Sequence, residues 1–256
     1  MLPSIWIVVV IFAGVFYVLT ALVLRGTLRF SARCKPEKVP LEALPAGVSV
    51  LFQRRIPEIT KLGFELIGCY DLGCLASETQ SYVAYFRHYD ANDFASISVL
   101  VSSVRIASYL EFSARFPNGF TLETNTNRIL PLTPGNPEVK VFRFPRIRDA
   151  QALLRIHRQL KDRYAPGLWP QGEARGEEIQ RLVRTIENYG PRHARLGYLR
   201  LAADGESYGL TWKGALVMTW RGLWPVPSVR RLLFRHAMNL ELQSLETCGL
   251  TAMQKA

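Results

Sequence analysis

The chain is poor in the residues and motifs that usually identify an enzyme. It has 4 histidines and 4 cysteines in 256 residues, and it has no Walker A loop, GxGxxG, GxSxG or HExxH motif. No second cysteine pair completes a four-ligand zinc site around Cys69 and Cys74. These absences favour a non-catalytic role with no metal and no cofactor. The cysteines are expected to be reduced thiols, and a 69–74 disulfide is conceivable only in an oxidising compartment.

Charge is absent from the first part of the chain. Ile5 to Leu24 is a run of 20 uncharged residues, and Arg25 is the first basic side chain. A helix of that length covers about 30 Å, the thickness of a bilayer's hydrocarbon core. A cleaved signal is less favoured because a basic start and a cleavage site are missing. A buried core helix usually has a polar face, which this run lacks. The sequence therefore predicts a retained single-pass anchor over residues 1–25.

Basic residues follow the run in a collar, and this cluster predicts the orientation. The four that we assign to the membrane interface are Arg25, Arg29, Arg33 and Lys35. Because such residues are retained in the cytoplasm, we expect a cytoplasmic domain with the N-terminus outside. Anionic lipid headgroups are the expected partners, and an unknown protein partner is a further possibility. The collar and a proline-rich linker are predicted over 26–50.

Charge is unevenly distributed along the whole chain. The net charge is +11, of which residues 1–128 contribute +2 and residues 129–256 contribute +9. An excess of this size suits an acidic surface such as phospholipid or nucleic acid.

Hydrophobic periodicity predicts an α+β domain after the anchor. A short helix is expected near 57–62. A β part is predicted over residues 51–146. Within it, apolar and polar side chains alternate along residues 64–144, which predicts an antiparallel meander of five or six strands with one wet face, that is, one face exposed to water. Residues 147–256 read as a helical part with a β-hairpin near 196–211. Helices over 149–164 and 228–245 are expected to cover the apolar face of the meander.

Tryptophans mark a candidate membrane-contacting helix near the C-terminus. Trp212, Trp220 and Trp224 accompany Arg221 in a helix predicted over 212–224, a composition typical of interfacial helices. The alternative is a helix whose tryptophans fill the domain core, and periodicity alone favours that alternative.

Two other functions remain open. A membrane-bound enzyme could have its site near His88 and Asp90, with His88 as a base oriented by Asp90 or Asp93, although a polar turn explains the same residues. His157 lies among basic residues, so its side chain is expected to face solvent or lipid.

A nucleic-acid binder is the second alternative, carried by residues 177–223. The segment "YGLTWKGALVMTW" at 208–220 resembles the end of the wing in a winged-helix domain. That resemblance implies phosphate contacts by Arg192, Arg195 and Arg200. Nucleic acid is the less favoured partner, because helix 177–188 has few polar base readers and the segment after Lys213 is aromatic. The favoured prediction is a membrane-anchored domain that binds a lipid, an apolar ligand or a protein.

Overall fold

The protein is a mixed α+β structure that begins with one long apolar helix. The computed structural model describes residues 2–76, 78–103 and 105–253. The helices are α1 (Leu2–Thr27), α2 (Ala46–Thr60), α3 (Ala150–Tyr164), α4 (Glu178–Glu187), α5 (Tyr189–Arg195), α6 (Trp212–Gly222) and α7 (Val226–Met253). The strands are β1 (Arg29–Ser31), β2 (Glu37–Lys38), β3 (Glu65–Ala76), β4 (Thr79–His88), β5 (Asp93–Ser102), β6 (Arg105–Arg115), β7 (Thr121–Asn125), β8 (Val139–Arg143), β9 (Leu199–Leu201) and β10 (Ser207–Leu210).

All ten strands belong to one open sheet. Its order is β8-β7-β6-β5-β4-β3-β1-β10-β9, and β2 pairs with β3 outside this path. The pairs are antiparallel except β7 with β8, which are parallel. The antiparallel meander predicted over 64–144 is confirmed as β3 to β7, whereas β8 joins the same sheet parallel to β7. Its turns include Gly119, whose φ of +83° suits the residue without a Cβ.

The main core lies between one face of the sheet and three helices. Phe86, Phe112 and Leu122 on the strands are buried against residues of α2 and α3 such as Phe52 and Leu153. The end of α7 joins this core through Leu245. Asp149 caps α3 by accepting a hydrogen bond from the Ala152 amide at 2.9 Å. The predicted cover by the helix over 149–164 is therefore confirmed, and α2 adds to it, whereas α7 reaches the core near Leu245 and packs on α3.

The opposite face of the meander is not wet, contrary to expectation. The apolar side of α4, which includes Leu182 and Ile186, packs on Tyr85 and Phe94. Ser96, expected in solvent, is buried. Period-two alternation distinguishes the two faces of a strand, but an amphipathic helix can cover the more polar one.

The predicted linker over 26–50 contains regular structure. Residues Arg29–Ser31 form β1, which inserts between β3 and β10, and Ala46–Thr60 form α2. The short helix expected near 57–62 is thus the end of a longer one, and Pro57 lies inside it. The prolines at 40 and 45 precede helical turns, a position in which their fixed φ is tolerated.

The cysteines with described side chains are free thiols, at positions 34, 69 and 74. Cys69 and Cys74 both lie on β3. They lie five positions apart along that strand, and no disulfide joins them.

Candidate membrane-contact site

Helix α1 is long and apolar enough to span a membrane. The segment Trp6–Thr27 has a mean hydropathy of 2.9 in its most apolar window, and only 6% of that window is buried. This is consistent with membrane anchoring. The side chains of residues 6–16 are exposed on every side of the helix.

The second half of α1 packs against α6. The Tyr17 hydroxyl donates a hydrogen bond to the Leu216 carbonyl oxygen at 2.6 Å. One end of the contact is closed by Arg25, whose guanidinium carbon lies 4.6 Å from the centroid of the Trp212 ring. Since Trp212 meets Arg25 and Leu216 meets Tyr17, the two helices run in opposite directions.

Small side chains bring these helices close to each other and to the sheet. Ala21 on α1 and Ala215 on α6 are fully buried in the same apolar cluster. Thr211 caps α6 by accepting a hydrogen bond from the Gly214 amide at 3.0 Å. A Cβ on Gly214 would clash with the Tyr198 carbonyl oxygen, so the start of α6 requires glycine there.

The part of α1 that extends beyond the contact with α6 is shorter than the thickness of a bilayer's hydrocarbon core. The part of α1 before Tyr17 is about 22 Å long at 1.5 Å per residue, whereas a hydrocarbon core is about 30 Å thick. A membrane that covers its full apolar length must extend past Tyr17 towards Arg25. Helix α6 lies beside that stretch of α1.

The tryptophans of this region are exposed. The exposed fraction is 46% for Trp212, 62% for Trp220 and 83% for Trp224. The interpretation of α6 as a helix whose tryptophans fill the core is therefore wrong. Ala215 and Met218 are the α6 side chains that fill the apolar cluster, because the tryptophans point away from the sheet.

The exposed apolar surface continues into the start of α7. Val229, Leu232 and Leu233 are each at least half exposed. Arg230 lies among them, and its guanidinium donates to the Pro131 carbonyl oxygen at 2.8 Å. Burial and the neighbouring Arg221 lower the pKa of Arg230. An exposed surface of aromatic, aliphatic and arginine side chains is typical of an interfacial segment.

The basic collar lies at the point where α1 meets the sheet. Arg29 begins β1, and its guanidinium donates to the Arg25 carbonyl oxygen at 3.2 Å. Arg33 forms an exposed ion pair with Glu206 at 3.9 Å. Lys35 is exposed. The structure thus brings Arg25, Trp212 and Arg29 together, whereas Trp220 lies near the other end of α6 and Trp224 follows that helix.

His88 and Asp90 occupy one turn but do not form an acid–base pair. His88 Nδ1 accepts a hydrogen bond from the Ala91 amide at 3.3 Å, and Asp90 is exposed. The orienting partner of the ring is therefore backbone, as in a structural turn.

His157 is buried, so the prediction of a solvated or lipid-facing position is wrong. Its Nδ1 lies 3.0 Å from Thr124 Oγ1, and its Nε2 lies 4.0 Å from Asp93 Oδ1. Asp93 is also buried and accepts hydrogen bonds from Lys161 Nζ at 2.6 and 2.8 Å. Burial and the nearby Lys161 lower the pKa of His157, so the ring is neutral. This group joins β5, β7 and α3.

The arginines proposed for nucleic acid lie on two elements. Arg195 on α5 and Arg200 on β9 are exposed, whereas Arg192 donates to the Gly135 carbonyl oxygen at 2.5 Å. The β9–β10 hairpin is an edge of the main sheet, with β10 paired to β1 as well. It is therefore not a free wing, and the part of the segment after Thr211 is α6.

Two carboxylates that periodicity assigned to a wet face are half-buried. Glu111 and Ser113 on β6 pair with Asn125 and Glu123 on β7, which puts the two glutamates diagonally opposite each other. Asn125 Nδ2 donates to Glu111 at 2.9 Å. Burial and the Glu111 charge raise the pKa of Glu123 to about 8, despite the opposing effect of Arg143. The proximity of Glu111 and Glu123 is evident from the strand register, and the alternation pattern alone does not indicate it.

No group of three or more His, Cys, Asp or Glu is placed to hold a metal ion within the described ranges. No protein family, curated protein or solved structure matches this chain. The α1–α6 unit and the surface beside it are therefore interpreted on their own geometry.

Proposed function

We propose that this chain is a single-pass membrane protein whose cytoplasmic α+β domain lies on the bilayer surface and binds a partner there without catalysis. The observation that carries the proposal is the contact between α1 and α6. The helix that can span a bilayer and the helix that exposes tryptophans form one packed unit. Anchoring α1 therefore brings the exposed aromatic surface to the lipid.

The orientation follows from the basic collar. Arg29, Arg33 and Lys35 come directly after the apolar run, and such clusters stay on the cytoplasmic side. Each close basic residue gains about 1 kcal/mol from an anionic membrane surface. The proposed partners are therefore anionic lipids, with a protein partner as a further candidate.

The interfacial position of α6 can be tested by quenching with brominated lipids. Two proteins are compared in proteoliposomes, one retaining only Trp220 and one retaining only Trp169, with the other tryptophans changed to Phe. The two residues are matched, since 62% of Trp220 and 66% of Trp169 is exposed. We expect strong quenching of Trp220 and little of Trp169. Equal quenching of the two would contradict the proposal. Helix α1 is retained throughout, because Ala21 belongs to the apolar cluster of α6.

Orientation and partner need separate measurements. Protease added to unbroken cells should leave the domain intact, and digestion of the C-terminal part would reverse the proposed topology.

Mass spectrometry of lipids that copurify in mild detergent should show anionic lipids enriched over their proportion in the membrane. No enrichment would argue against headgroup binding.

A further inference from the structure

An open groove of about 640 Å³ lies beside the first half of β6, and no residue of α1 or α6 lines it. Its walls are the N-terminal half of α2, residues 126–129 after β7, and the turn before α3. The groove exists because β7 ends at Asn125, opposite Glu111. Residues 105–110 of β6 therefore pair with β5 on one side and face the groove on the other.

Hydrogen bonds fix the chain that forms the far wall. The Leu110 amide donates to Thr126 Oγ1 at 3.0 Å, where the chain leaves the sheet. Two Asx turns follow, since Asn127 N donates to Asn125 Oδ1 at 3.2 Å and Ile129 N donates to Asn127 Oδ1 at 2.8 Å. This wall is therefore shaped by local contacts and needs no ligand to form it.

Positive charge dominates the groove. The charged side chains among the described lining residues are five arginines and no acid: Arg54, Arg55, Arg105, Arg128 and Arg148. Arg55 is held by Glu58 at 2.7 Å and by the Arg148 carbonyl oxygen at 3.1 Å. The other four are exposed, and no ion pair is found for them among the described residues. Several like charges around one concave surface raise the local concentration of anions.

The same groove exposes aliphatic side chains. Val50, Ile106 and Ile129 line it and are 64%, 60% and 43% exposed. Arginine forks bind phosphate oxygens in pairs, and the aliphatic surface suits an apolar group attached to that phosphate. We propose that this groove binds a phosphate-bearing amphiphilic ligand through Arg54, Arg105, Arg128 and Arg148. The source of the phosphate is either a membrane lipid or a soluble organic phosphate.

The site goes beyond the proposed function, because it shares no residue with α1 or α6. Its test can therefore fail while membrane anchoring stands, and the reverse also holds.

Binding is measured by calorimetry on the full chain in a non-ionic detergent. The probes are dihexanoyl phosphatidic acid, inorganic pyrophosphate and, as the zwitterionic control, dihexanoyl phosphatidylcholine. The test variant is R105Q/R128Q, and the matched control is R195Q/R200Q, which removes the same charge from exposed positions elsewhere. We expect R105Q/R128Q to weaken phosphatidic acid binding by about tenfold or more, with the control unchanged. All four positions are exposed, so equal melting temperatures should show that each variant is folded.

Every outcome bears on the proposal. Phosphatidic acid binding without pyrophosphate binding supports a lipid source, and binding of both supports a soluble phosphate. Absence of phosphatidic acid binding, equally tight binding of phosphatidylcholine, equal loss in both variants, or no loss in R105Q/R128Q overturns the site. If a short DNA duplex displaces phosphatidic acid and binds the groove more tightly, the ligand is nucleic acid and the proposal is wrong.

Discussion

Tyr17 on α1 donates its hydroxyl hydrogen to the carbonyl oxygen of Leu216 on α6, across 199 positions of sequence, at 2.6 Å. The bond lies within a contact that also includes fully buried Ala21 and Ala215. Helix α1 is therefore part of the domain's packing as well as a membrane segment. A change in α1 should therefore alter the local stability of α6.

Removal of the Tyr17 hydroxyl should loosen α6. In Tyr17→Phe the ring remains and only the hydrogen bond to Leu216 is lost, which typically costs about 1 kcal/mol. We expect amide hydrogen exchange in α6 to accelerate about fivefold in detergent or nanodiscs. The control is Phe16→Leu, a neighbouring exposed position. Unchanged exchange in Tyr17→Phe would show that the hydroxyl does not hold the helices together.

The start of α6 should not tolerate a methyl group. In Gly214→Ala the new Cβ would meet the Tyr198 carbonyl oxygen, so helix and hairpin must separate. We expect the free energy of unfolding to fall by about 1–3 kcal/mol. Gly222→Ala in the same helix is the control, because its Cβ would meet its nearest neighbour at 4.0 Å. Equal stability of the two variants in denaturant titrations would rule out the clash.

Local patterns in the sequence predicted the meander well. Alternation predicts β3 to β7, and the pairs Asn118-Gly119 and Asp204-Gly205 are typical of the turns found there. These features depend on neighbours in sequence, so a single chain displays them. The cap of α3 by Asp149 is local in the same way.

Features that depend on distant pairing were missed. Strand β1 has three residues and forms only because β3 and β10 offer edges on both sides. The cover of the second sheet face by α4 is likewise a tertiary contact. Alternation shows that one strand face is more polar, but it does not show what packs on it.

The candidate sites likewise combine features with a local sequence signal and features that depend on distant contacts. Composition indicated the tryptophans of α6, but only the packing of Ala215 and Met218 shows which side of that helix faces outward. The arginine groove joins residues from four separate segments, for example Arg54 and Arg128. Such a convergence has no local signal in the sequence.

Lys161 should be essential for stability although it takes no part in the proposed function. Its ammonium group balances the buried carboxylate of Asp93 at 2.6 Å. In Lys161→Ala that carboxylate loses its counter-ion, which typically costs about 3–5 kcal/mol. The comparison is Arg33→Ala, which breaks the exposed pair with Glu206 at 3.9 Å and should cost less than about 1 kcal/mol. If Lys161→Ala and Arg33→Ala lower the stability by similar amounts in thermal unfolding, burial does not determine the cost of breaking an ion pair.

Glu123 should make the protein less stable as pH rises. In the unfolded chain this carboxyl releases its proton near its ordinary pKa of 4.5, whereas burial and Glu111 raise the folded-state pKa to about 8. Between these values the folded state holds more protons than the unfolded state. Stability therefore falls as pH rises from about 4.5 to 8 and levels off above that.

The variant Glu123→Gln tests this dependence because it removes the titrating group and keeps the shape. Relative to the unchanged protein, its melting temperature should be higher at pH 9, and the difference should shrink towards pH 5. Glu138→Gln, at an exposed glutamate just before β8, is the control and should follow the unchanged protein at every pH. If the curves of Glu123→Gln and the unchanged protein run parallel from pH 5 to 9, Glu123 is ionised in the folded state, and Arg143 outweighs burial and Glu111.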